Sequence, residues 1–252
     1  MKFDDVKKLH QKKYREQFGY YLVEGEHLVL ELLKASQSLS KQLVNITLFI
    51  TETHQQWAKS LEVPLNTVVL SAKQMGQLSD TKSPQGIIAC VPLSYAVDNS
   101  VGAPEKQRCV YLHEVQDPGN LGTILRSLAW FGNFRLLLSS NSVDPFNAKV
   151  VRASMGAIFH VPIEQGLALD DLQARFTKFA YLDMQGLSIE SASFAEYECY
   201  LFGNEARGVP REALAKCRAD AFTIEGSAII DSLNLASAVS ICAYQLSQSL
   251  KR

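Results

Sequence analysis

Residues 117–132 read DPGNLGTILRSLAWFG, and the chain is best interpreted outward from this stretch. An apolar run at 109–112 leads into a polar loop with Pro118 and Gly119, after which apolar residues recur at helical spacing. A strand, a glycine-bearing turn and a helix in this order are typical of α/β proteins, whose sites form at the carboxyl ends of strands. At 100° per residue, Arg126 lies almost opposite the apolar face. It is therefore either a solvated helix residue or a residue that faces a bulky ligand.

The composition is that of an ordinary globular protein. At 252 residues, 47% of them hydrophobic and 20% charged, the chain has room for one or two domains with buried cores. The net charge of −1 gives no global sign of nucleic-acid binding, but basic side chains concentrate in residues 1–15. This segment is either a phosphate-contacting surface or a solvated first helix. If it contacts RNA, the residues concerned are Lys7, Lys8, Lys12, Lys13 and Arg15.

The cysteines and the apolar runs bear on where the protein works. Five cysteines are scattered along the chain without a C-x-x-C pair, which favours buried free thiols in a reducing compartment. The sequence shows no basic-then-apolar leader and no apolar run of about 18 residues, so we expect a cytoplasmic protein that is neither secreted nor membrane-spanning. No cluster with metal-ligand spacing is visible, and we expect no metal.

The order of the predicted elements indicates two domains. Small strands and helices alternate over residues 1–97. Residues 98–108 are poor in apolar side chains and contain Gly102 and Pro104, so we predict that they link this first domain to a second one at 109–252. In the second domain, short apolar strands alternate with helical segments. This alternation predicts an α/β fold with a parallel sheet that is covered on both faces.

Three loops that follow predicted strands of the second domain carry polar residues that packing does not require. They are the opening stretch, with Asn120 and Arg126; residues 203–208, GNEARG; and residues 232–234, SLN, just before the last helix. Each loop has an ordinary structural explanation, because glycines serve turns and serine or asparagine caps helices. Because parallel strands end on one edge of a sheet, we expect the three loops to meet and form a site.

In combination, these residues resemble the SpoU, or TrmH-like, family of RNA ribose 2′-O-methyltransferases of the SPOUT class. The first family motif, Asn-x-Gly-x-x-x-Arg, is met by Asn120, Gly122 and Arg126. The second, Gly-x-Glu-x-x-Gly, is met at 203–208, and the third, Ser-Leu-Asn, at 232–234. The first domain resembles the amino-terminal substrate-binding domain of many family members through residues 21–25, YLVEG, and 83–89, SPQGIIA.

The resemblance implies a fold, a cofactor and a reaction. The fold would be a parallel-sheet domain whose carboxyl-terminal segment forms a deep trefoil knot, preceded by a small α/β RNA-binding domain similar to a ribosomal-protein fold. S-adenosylmethionine would bind through Gly203, Ile224 and Leu233, and a homodimer would complete the site across its interface. The reaction would be methyl transfer to a ribose 2′-hydroxyl, with ribosomal RNA of the 23S type as the expected substrate.

The resemblance also implies which side chains act. In the family, the arginine that matches Arg126 is proposed as the base, but a guanidinium is not expected to lose its proton. We expect Arg126 to bind the phosphate beside the target ribose and to stabilise the developing alkoxide. Asn120, Ser232 and Asn234 would position the hydroxyl and Arg126, and Glu205 would orient loop or arginine groups.

Two other interpretations stay open at this point. The substrate could be transfer RNA, although the extra first domain favours ribosomal RNA by analogy. The protein could instead be a non-catalytic RNA-binding relative, although the complete polar set favours catalysis. The chain departs from the family pattern at Glu225, Gly226 and Ala228, and these departures bear on how the cofactor is bound.

Overall fold

The computed structural model of the chain describes residues 1–38, 43, 45–63, 65–97, 107–227, 229–230 and 232–249. Most of the predicted linker lies outside these residues, and so does Ala228. The strands are β1 (Tyr20–Glu24), β2 (Thr47–Thr51), β3 (Asn66–Leu70), β4 (Ile87–Pro92), β5 (Arg108–Leu112), β6 (Phe134–Ser139), β7 (Ile163–Leu167), β8 (Phe179–Ser188), β9 (Cys199–Phe202) and β10 (Ala219–Thr223). The helices are α1 (Phe3–Lys8), α2 (Lys12–Phe18), α3 (Glu26–Ser38), α4 (Gln55–Lys59), α5 (Ala72–Leu78), α6 (Leu93–Val97), α7 (Pro118–Phe131), α8 (Ala148–Ala153), α9 (Leu169–Arg175), α10 (Arg211–Leu214) and α11 (Leu235–Ser249).

The chain divides into two compact units. The first unit consists of Met1–Gly102 together with Asp144–His160, and the second of Ala103–Val143 together with Val161–Arg252. The sequence predicts one boundary, at the linker, and therefore assigns the segment 144–160 to the second domain. The structure groups this segment with the first unit, because α8 buries its valines and packs against β1. A periodicity pattern does not show which sheet a helix packs on.

The first unit contains a four-stranded sheet in the order β1-β4-β2-β3. Strand β4 runs antiparallel to both β1 and β2, whereas β2 and β3 are parallel. Apolar side chains from this sheet and from α1 and α5 form a core whose members include Val6, Leu9, Leu22, Phe49, Met75, Leu78 and Ile88. The unit thus has a hydrophobic core of its own, as expected of an independent domain.

The second unit contains a six-stranded sheet in the order β10-β8-β9-β5-β6-β7, and all its neighbouring strands are parallel. The predicted parallel sheet is therefore confirmed. All four residues of the central strand β9 are buried, which is typical of parallel strands that helices cover on both faces. One part of the core includes Tyr111, Leu137, Leu172, Phe179, Leu201 and Leu214. Because the strands are parallel, the loops after β5, β9 and β10 emerge at the same edge.

The cysteines are free, and all but Cys217 are buried. Burial raises the pKa of the Cys109 thiol to about 11 and that of Cys90 to about 12, so both are protonated at neutral pH. Within the described ranges, no helix has both the length and the apolar composition needed to cross a bilayer. No group of three His, Cys, Asp or Glu side chains in these ranges is close enough to hold a metal ion.

Candidate active site

The amino terminus of α7 forms the centre of the site. Asp117 caps this helix, since its carboxylate accepts a 2.7 Å hydrogen bond from the backbone N–H of Asn120. Pro118 follows at the first helical position, where its fixed φ suits the helix and its missing N–H is not needed. The sequence DPGN therefore starts the helix at a defined residue and fixes Asn120 in its first turn.

Glu205 connects the loop after β9 to the start of α7. Its carboxylate accepts hydrogen bonds from the backbone N–H groups of Gln116 and Asp117, each at 3.2 Å, and from Asn120 Nδ2 at 3.3 Å. A carboxylate that accepts backbone N–H groups beside a helix amino terminus is also favoured by the helix dipole. Glu205 therefore orients a loop and Asn120, and no described arginine donates to it.

Asn120 and Asn234 join the first and third loops. Asn234 Nδ2 donates to Asn120 Oδ1 at 3.0 Å, while Asn234 Oδ1 accepts from the backbone N–H groups of Ala236 and Ser237. The orientations of both amides follow from their partners. The Glu205 carboxylate can only accept, so Asn120 Nδ2 must face it, and the first turn of α11 offers only N–H donors, so Asn234 Oδ1 must face that helix. Asn234 is therefore the residue that caps α11, and one hydrogen-bonded chain ties together the three predicted loops.

The glycines of the second loop serve its backbone. Asn204 and Gly208 exchange backbone hydrogen bonds of 3.0 and 2.9 Å, so the loop closes on itself. A Cβ atom on Gly203 would lie 2.2 Å from the carbonyl carbon of Gly208, and Gly208 has φ of +68°. The buried Asn204 side chain donates to the Glu114 carbonyl at 2.6 Å and accepts from the Ala206 N–H at 2.9 Å. Both glycines are thus required by the turn itself, and Asn204 is a structural residue that sequence reasoning missed.

A large cleft of about 1230 Å³ opens beside these loops in the second unit. The predicted residues that line it are Asn120, Gly203, Glu205, Ile224, Ser232, Leu233 and Asn234. Apolar side chains make up other parts of the wall, among them Leu182, Met184, Phe202, Leu235 and Ala238. S-adenosylmethionine combines a flat base with a polar ribose and a charged sulfonium and amino-acid end. A cleft of this size with apolar walls and a few fixed polar groups fits such a molecule.

Arg126 lies outside the cleft of its own chain. It is six residues beyond Asn120 on α7, about 9 Å along the helix axis, and its side chain is exposed. Among the described residues, none forms a hydrogen bond or an ion pair with Arg126. The small residues beside Arg126 on α7 differ in exposure, because Thr123 is exposed but Gly122 is buried in the packed face of the helix.

A second polar cluster, which sequence reasoning missed, supports the loop before α7. Glu114 has φ of +54°, and its carboxylate accepts from Asn141 Nδ2 at 3.0 Å and from the Arg207 guanidinium. The hydrogen bond from Asn141, together with the charge of Arg207, lowers the pKa of Glu114. Burial lowers the pKa of the neighbouring His113. No sequence spacing marks this cluster, because its members come from three separate loops.

The basic residues near the amino terminus differ in how accessible they are to an RNA phosphate. Lys7 and Lys8 each pair with an aspartate one helical turn away, at 2.8 and 2.9 Å, and Lys12 approaches Glu16 at 3.8 Å. All three pairs lie on the surface of α1 and α2, where ion pairs are weak and easily exchanged. Lys13 is exposed, with its ammonium 5.7 Å from the ring centre of Tyr14. These four lysines therefore remain accessible to a phosphate.

Arg15 is a correction to the predicted RNA-contacting set. Its side chain is 5% exposed, and its guanidinium donates to the Asp144 carboxylate through Nε at 2.9 Å and also through Nη2. Nη1 donates to the Leu9 carbonyl at 2.7 Å. The charge is neutralised inside the first unit, where it fixes the segment 144–160. Arg15 is thus a structural residue, and a count of basic residues does not distinguish it from its exposed neighbours.

Comparisons with known proteins agree with this geometry. Residues 107–244 match the model of the SpoU rRNA Methylase family, and residues 2–89 match that of the MRM3-like substrate binding domain. The chain is 31% identical over 250 residues to the Bacillus subtilis 23S rRNA (guanosine(2553)-2′-O)-methyltransferase RlmP, covering 97% of this chain and 95% of that protein. The structure of an AdoMet-bound rRNA methyltransferase from Sinorhizobium meliloti superposes with a TM-score of 0.78 at 26% identity, over 98% of this chain and 94% of that one.

Proposed function

Because the chain belongs to the SpoU rRNA Methylase family, we propose that it transfers a methyl group from S-adenosylmethionine to a ribose 2′-hydroxyl of RNA. The observation that carries this proposal is the hydrogen-bonded chain Glu205–Asn120–Asn234, which holds three loops at the mouth of a cofactor-sized cleft. Gly203, Ile224 and Leu233 would contact the cofactor, since all three line the cleft. We expect the protein to act in the cytoplasm.

When bound, S-adenosylmethionine supplies a methyl group on a positively charged sulfur. The residues of this chain act on the other reactant, the 2′-hydroxyl, which is a weak nucleophile until it loses its proton. A guanidinium keeps its proton and offers paired donors to phosphate oxygens. Arg126 therefore binds the phosphate beside the target ribose and stabilises negative charge on the 2′-oxygen as the proton passes to water. Asn120, Ser232 and Asn234 orient the hydroxyl.

The proposed substrate is ribosomal RNA of the 23S type. Its support is the relative that is named a 23S rRNA methyltransferase and matches over nearly its whole length, together with the match of residues 2–89 to a substrate-binding domain. In this proposal the four accessible lysines of α1 and α2, which are Lys7, Lys8, Lys12 and Lys13, contact the RNA backbone. Such contacts release counterions, so affinity falls as salt rises.

We further propose a homodimer in which α7 and α11 face the partner. Trp130 is 85% exposed and Tyr244 is 53% exposed. The ring centre of Tyr244 lies 5.8 Å from that of Phe131, in an edge-to-face arrangement. Together with Ile241, these side chains form an apolar face across the two helices. A hydrogen bond of 2.6 Å between the Ser127 and Ser240 hydroxyls also joins α7 to α11. Arg126 lies one turn from Trp130 and outside its own cleft. A second copy seated on this face would complete the site.

The trefoil knot belongs to the same proposal. Its support is that the segment between β10 and α11 lines one cleft with the loop after β9, and that α11 packs against α7. Pulling the chain by its two ends in a single-molecule experiment tests it. A knotted chain stretches to less than the contour length of 252 residues, whereas full extension would contradict the knot.

The experiment for the proposed activity is methyl transfer in vitro. The purified protein is incubated with labelled S-adenosylmethionine and, separately, with ribosomal and transfer RNA from cells that lack this gene. Digestion to nucleosides should release a labelled 2′-O-methylnucleoside from the large ribosomal RNA. Label in transfer RNA alone would show that the substrate is transfer RNA rather than ribosomal RNA. Calorimetric titration that shows no cofactor binding would favour the non-catalytic relative.

A further inference from the structure

Residues 182–186 leave the regular pairing of the second sheet, and three of them, Leu182, Asp183 and Met184, line the cleft. Tyr181 pairs with Ala221 of β10, but the next β10 residue pairs with Leu187, so the five residues between are out of register with β10. We call this excursion the 182–186 arch. A Cβ atom on Gly186 would lie 2.5 Å from the Ala221 carbonyl oxygen, so the arch returns to the sheet at a point that admits only glycine.

Asp183 is the charged residue of this arch, and Arg211 fixes its orientation. Arg211 Nε donates to Asp183 Oδ2 at 3.0 Å, and Nη2 donates to Oδ1 at 2.6 Å. The Asp183 side chain is 8% exposed and that of Arg211 is 67% exposed. Both residues line the cleft. A carboxylate is therefore held rigidly, and almost out of solvent, in the wall that surrounds the cofactor.

An ion pair at this place is not explained by stability alone. Taking a carboxylate out of water is unfavourable, and well-packed apolar residues often stabilise a fold equally well. A carboxylate offers about four acceptor sites, and Arg211 occupies one on each oxygen of Asp183. The backbone N–H of Gln185 also approaches Oδ1, at 3.4 Å. Oδ2 therefore keeps a site for a hydrogen bond from a ligand in the cleft, and a ligand donor can replace the long Gln185 contact at Oδ1.

The position and neighbours of Asp183 indicate which part of the cofactor it meets. In the sheet order, β9 separates β8 from β5, so the arch lies two strand spacings, about 10 Å, from the strand that leads to Asn120. The reacting methyl group belongs at the Asn120 side, and the far end of the cofactor therefore extends toward the arch. Leu182 and Met184 flank Asp183 in the cleft wall. An apolar surface beside a carboxylate matches a base next to a ribose diol.

We propose that Asp183 binds the ribose hydroxyls of the cofactor's adenosyl group and that Arg211 is a positioning residue for this carboxylate. The inference rests on the proposed function, because it takes the cleft to be the cofactor site. A carboxylate that accepts from both hydroxyls of a ribose is a common way to recognise a nucleoside. The role is distinct from catalysis, and it predicts an effect on cofactor affinity that depends on the diol.

The test is calorimetric titration of the full chain with S-adenosylhomocysteine and with 5′-methylthioadenosine, which keeps the ribose but lacks the amino-acid group. Asp183→Asn should weaken both ligands by a similar factor, about tenfold or more, since a charge-assisted hydrogen bond is lost. Glu164→Gln is the matched control. Glu164 forms a comparable pair with Arg175, at 2.8 and 2.6 Å, away from the cleft-lining residues, so this variant should bind as the wild type does.

A second measurement includes an arm on the wild-type protein, which does not depend on how a variant folds. Wild-type protein should bind 2′-deoxy- and 3′-deoxy-5′-methylthioadenosine more weakly than 5′-methylthioadenosine, and Asp183→Asn should lose this discrimination. Arg211→Lys should retain part of it. A purely structural role would change the melting temperature without changing this ratio.

The results of these titrations distinguish a wrong role for Asp183 from a wrong assignment of the cleft. If Asp183→Asn weakens S-adenosylhomocysteine but not 5′-methylthioadenosine, Asp183 meets the amino-acid end and the inference is wrong. Equal binding of the deoxy ligands by the wild type would also overturn it. If the wild type binds none of these ligands, it is the proposed function that fails, since this inference presupposes a cofactor in the cleft.

Discussion

Asn120 uses both ends of its amide, because Nδ2 donates to Glu205 and Oδ1 accepts from Asn234. Neither neighbour can exchange its role, since a carboxylate cannot donate and Asn234 Oδ1 is already used by α11. The side chain at position 120 must therefore be a donor on one side and an acceptor on the other. Only an amide at this length satisfies both.

Replacing Asn120 by Asp tests this requirement with almost no change of shape. The new carboxylate would face that of Glu205 at about the present 3.3 Å, so we expect a loss of roughly 1–3 kcal/mol in the free energy of unfolding at pH 7. Repulsion raises the folded-state pKa of the pair above its unfolded value. The variant's deficit should therefore shrink as the pH falls toward 4 and grow as the pH rises. Urea unfolding at several pH values measures it.

The control for this variant is Asn66→Asp. Asn66 Nδ2 donates to the Thr47 hydroxyl, also at 3.3 Å, and a hydroxyl can turn to donate instead. This change should cost almost nothing at either pH. A deficit for Asn120→Asp that matches the control would mean that the hydrogen-bonded chain is not fixed as described.

Arg126→Ala separates catalysis from cofactor binding. We expect methyl transfer to fall by about 100-fold or more, because an electrostatic contact to the reacting group is lost. Affinity for S-adenosylhomocysteine should stay unchanged, since Arg126 is not among the cleft-lining residues. The exposed Arg218 offers a matched control, and Arg218→Ala should have neither effect.

Arg126→Lys refines the same prediction. A lysine keeps the charge but loses the paired donors that suit a phosphate, so activity should remain well below that of the wild type. Near-full turnover with lysine would contradict the assigned role of the guanidinium. A weakened cofactor affinity in either variant would show that Arg126 contacts the bound cofactor, which would contradict the role assigned to it.

At the level of elements, the second loop shows two different requirements for glycine. Gly203→Ala would place Cβ 2.2 Å from backbone, so the loop must move and we expect a loss of about 3 kcal/mol or more. Gly208→Ala meets no atom within 4 Å but keeps φ at +68°, which should cost about 1–2 kcal/mol. Chemical denaturation of the two variants compares them. Equal or reversed losses would contradict the close packing at Gly203.

Some elements could be predicted from sequence and others could not. The apolar run before Leu112 and the caps around Pro118 are local signals, so β5 and the start of α7 were predictable. The 182–186 arch was not, because its residues neither alternate nor end in a turn motif. Its form depends on Gly186 meeting β10, which is a contact between distant segments.

The same limit applies to the site. Asn120, Glu205 and Asn234 were predictable because their residue types follow strands that end on one edge. The partners of Glu205 were not, since they are backbone N–H groups, which residue identity does not reveal. Asp183 was missed for a related reason: its partner Arg211 is 28 residues away, and no motif joins them.

At the scale of the whole molecule, the buried pair Arg15–Asp144 joins the amino-terminal helices to the segment 144–160 within the first unit. Arg15→Ala would leave a buried carboxylate without its partner, so we expect a loss of about 3–5 kcal/mol in stability. Lys13→Ala should leave stability unchanged but weaken RNA binding and reduce its salt dependence. Thermal unfolding and filter binding at several salt concentrations measure the two effects. A stable Arg15→Ala protein with lowered RNA affinity would contradict the assignment.

The proposed dimer makes a second prediction at this scale. Trp130→Glu places a charge in the apolar face of α7 and α11, so sedimentation should show a monomer that still binds S-adenosylhomocysteine but no longer transfers methyl groups. Val69→Glu, at another exposed apolar residue, is the control and should leave the assembly unchanged. A wild-type monomer with full activity would contradict the dimer.

The most direct measurement of the central claim is a map of 2′-O-methylation across ribosomal and transfer RNA from cells that lack this gene. We predict that one ribose of the large ribosomal RNA loses its methyl group, that the wild-type gene restores it, and that Arg126→Ala does not. An unchanged map, or full restoration by Arg126→Ala, would contradict the assignment of this site to ribose methylation.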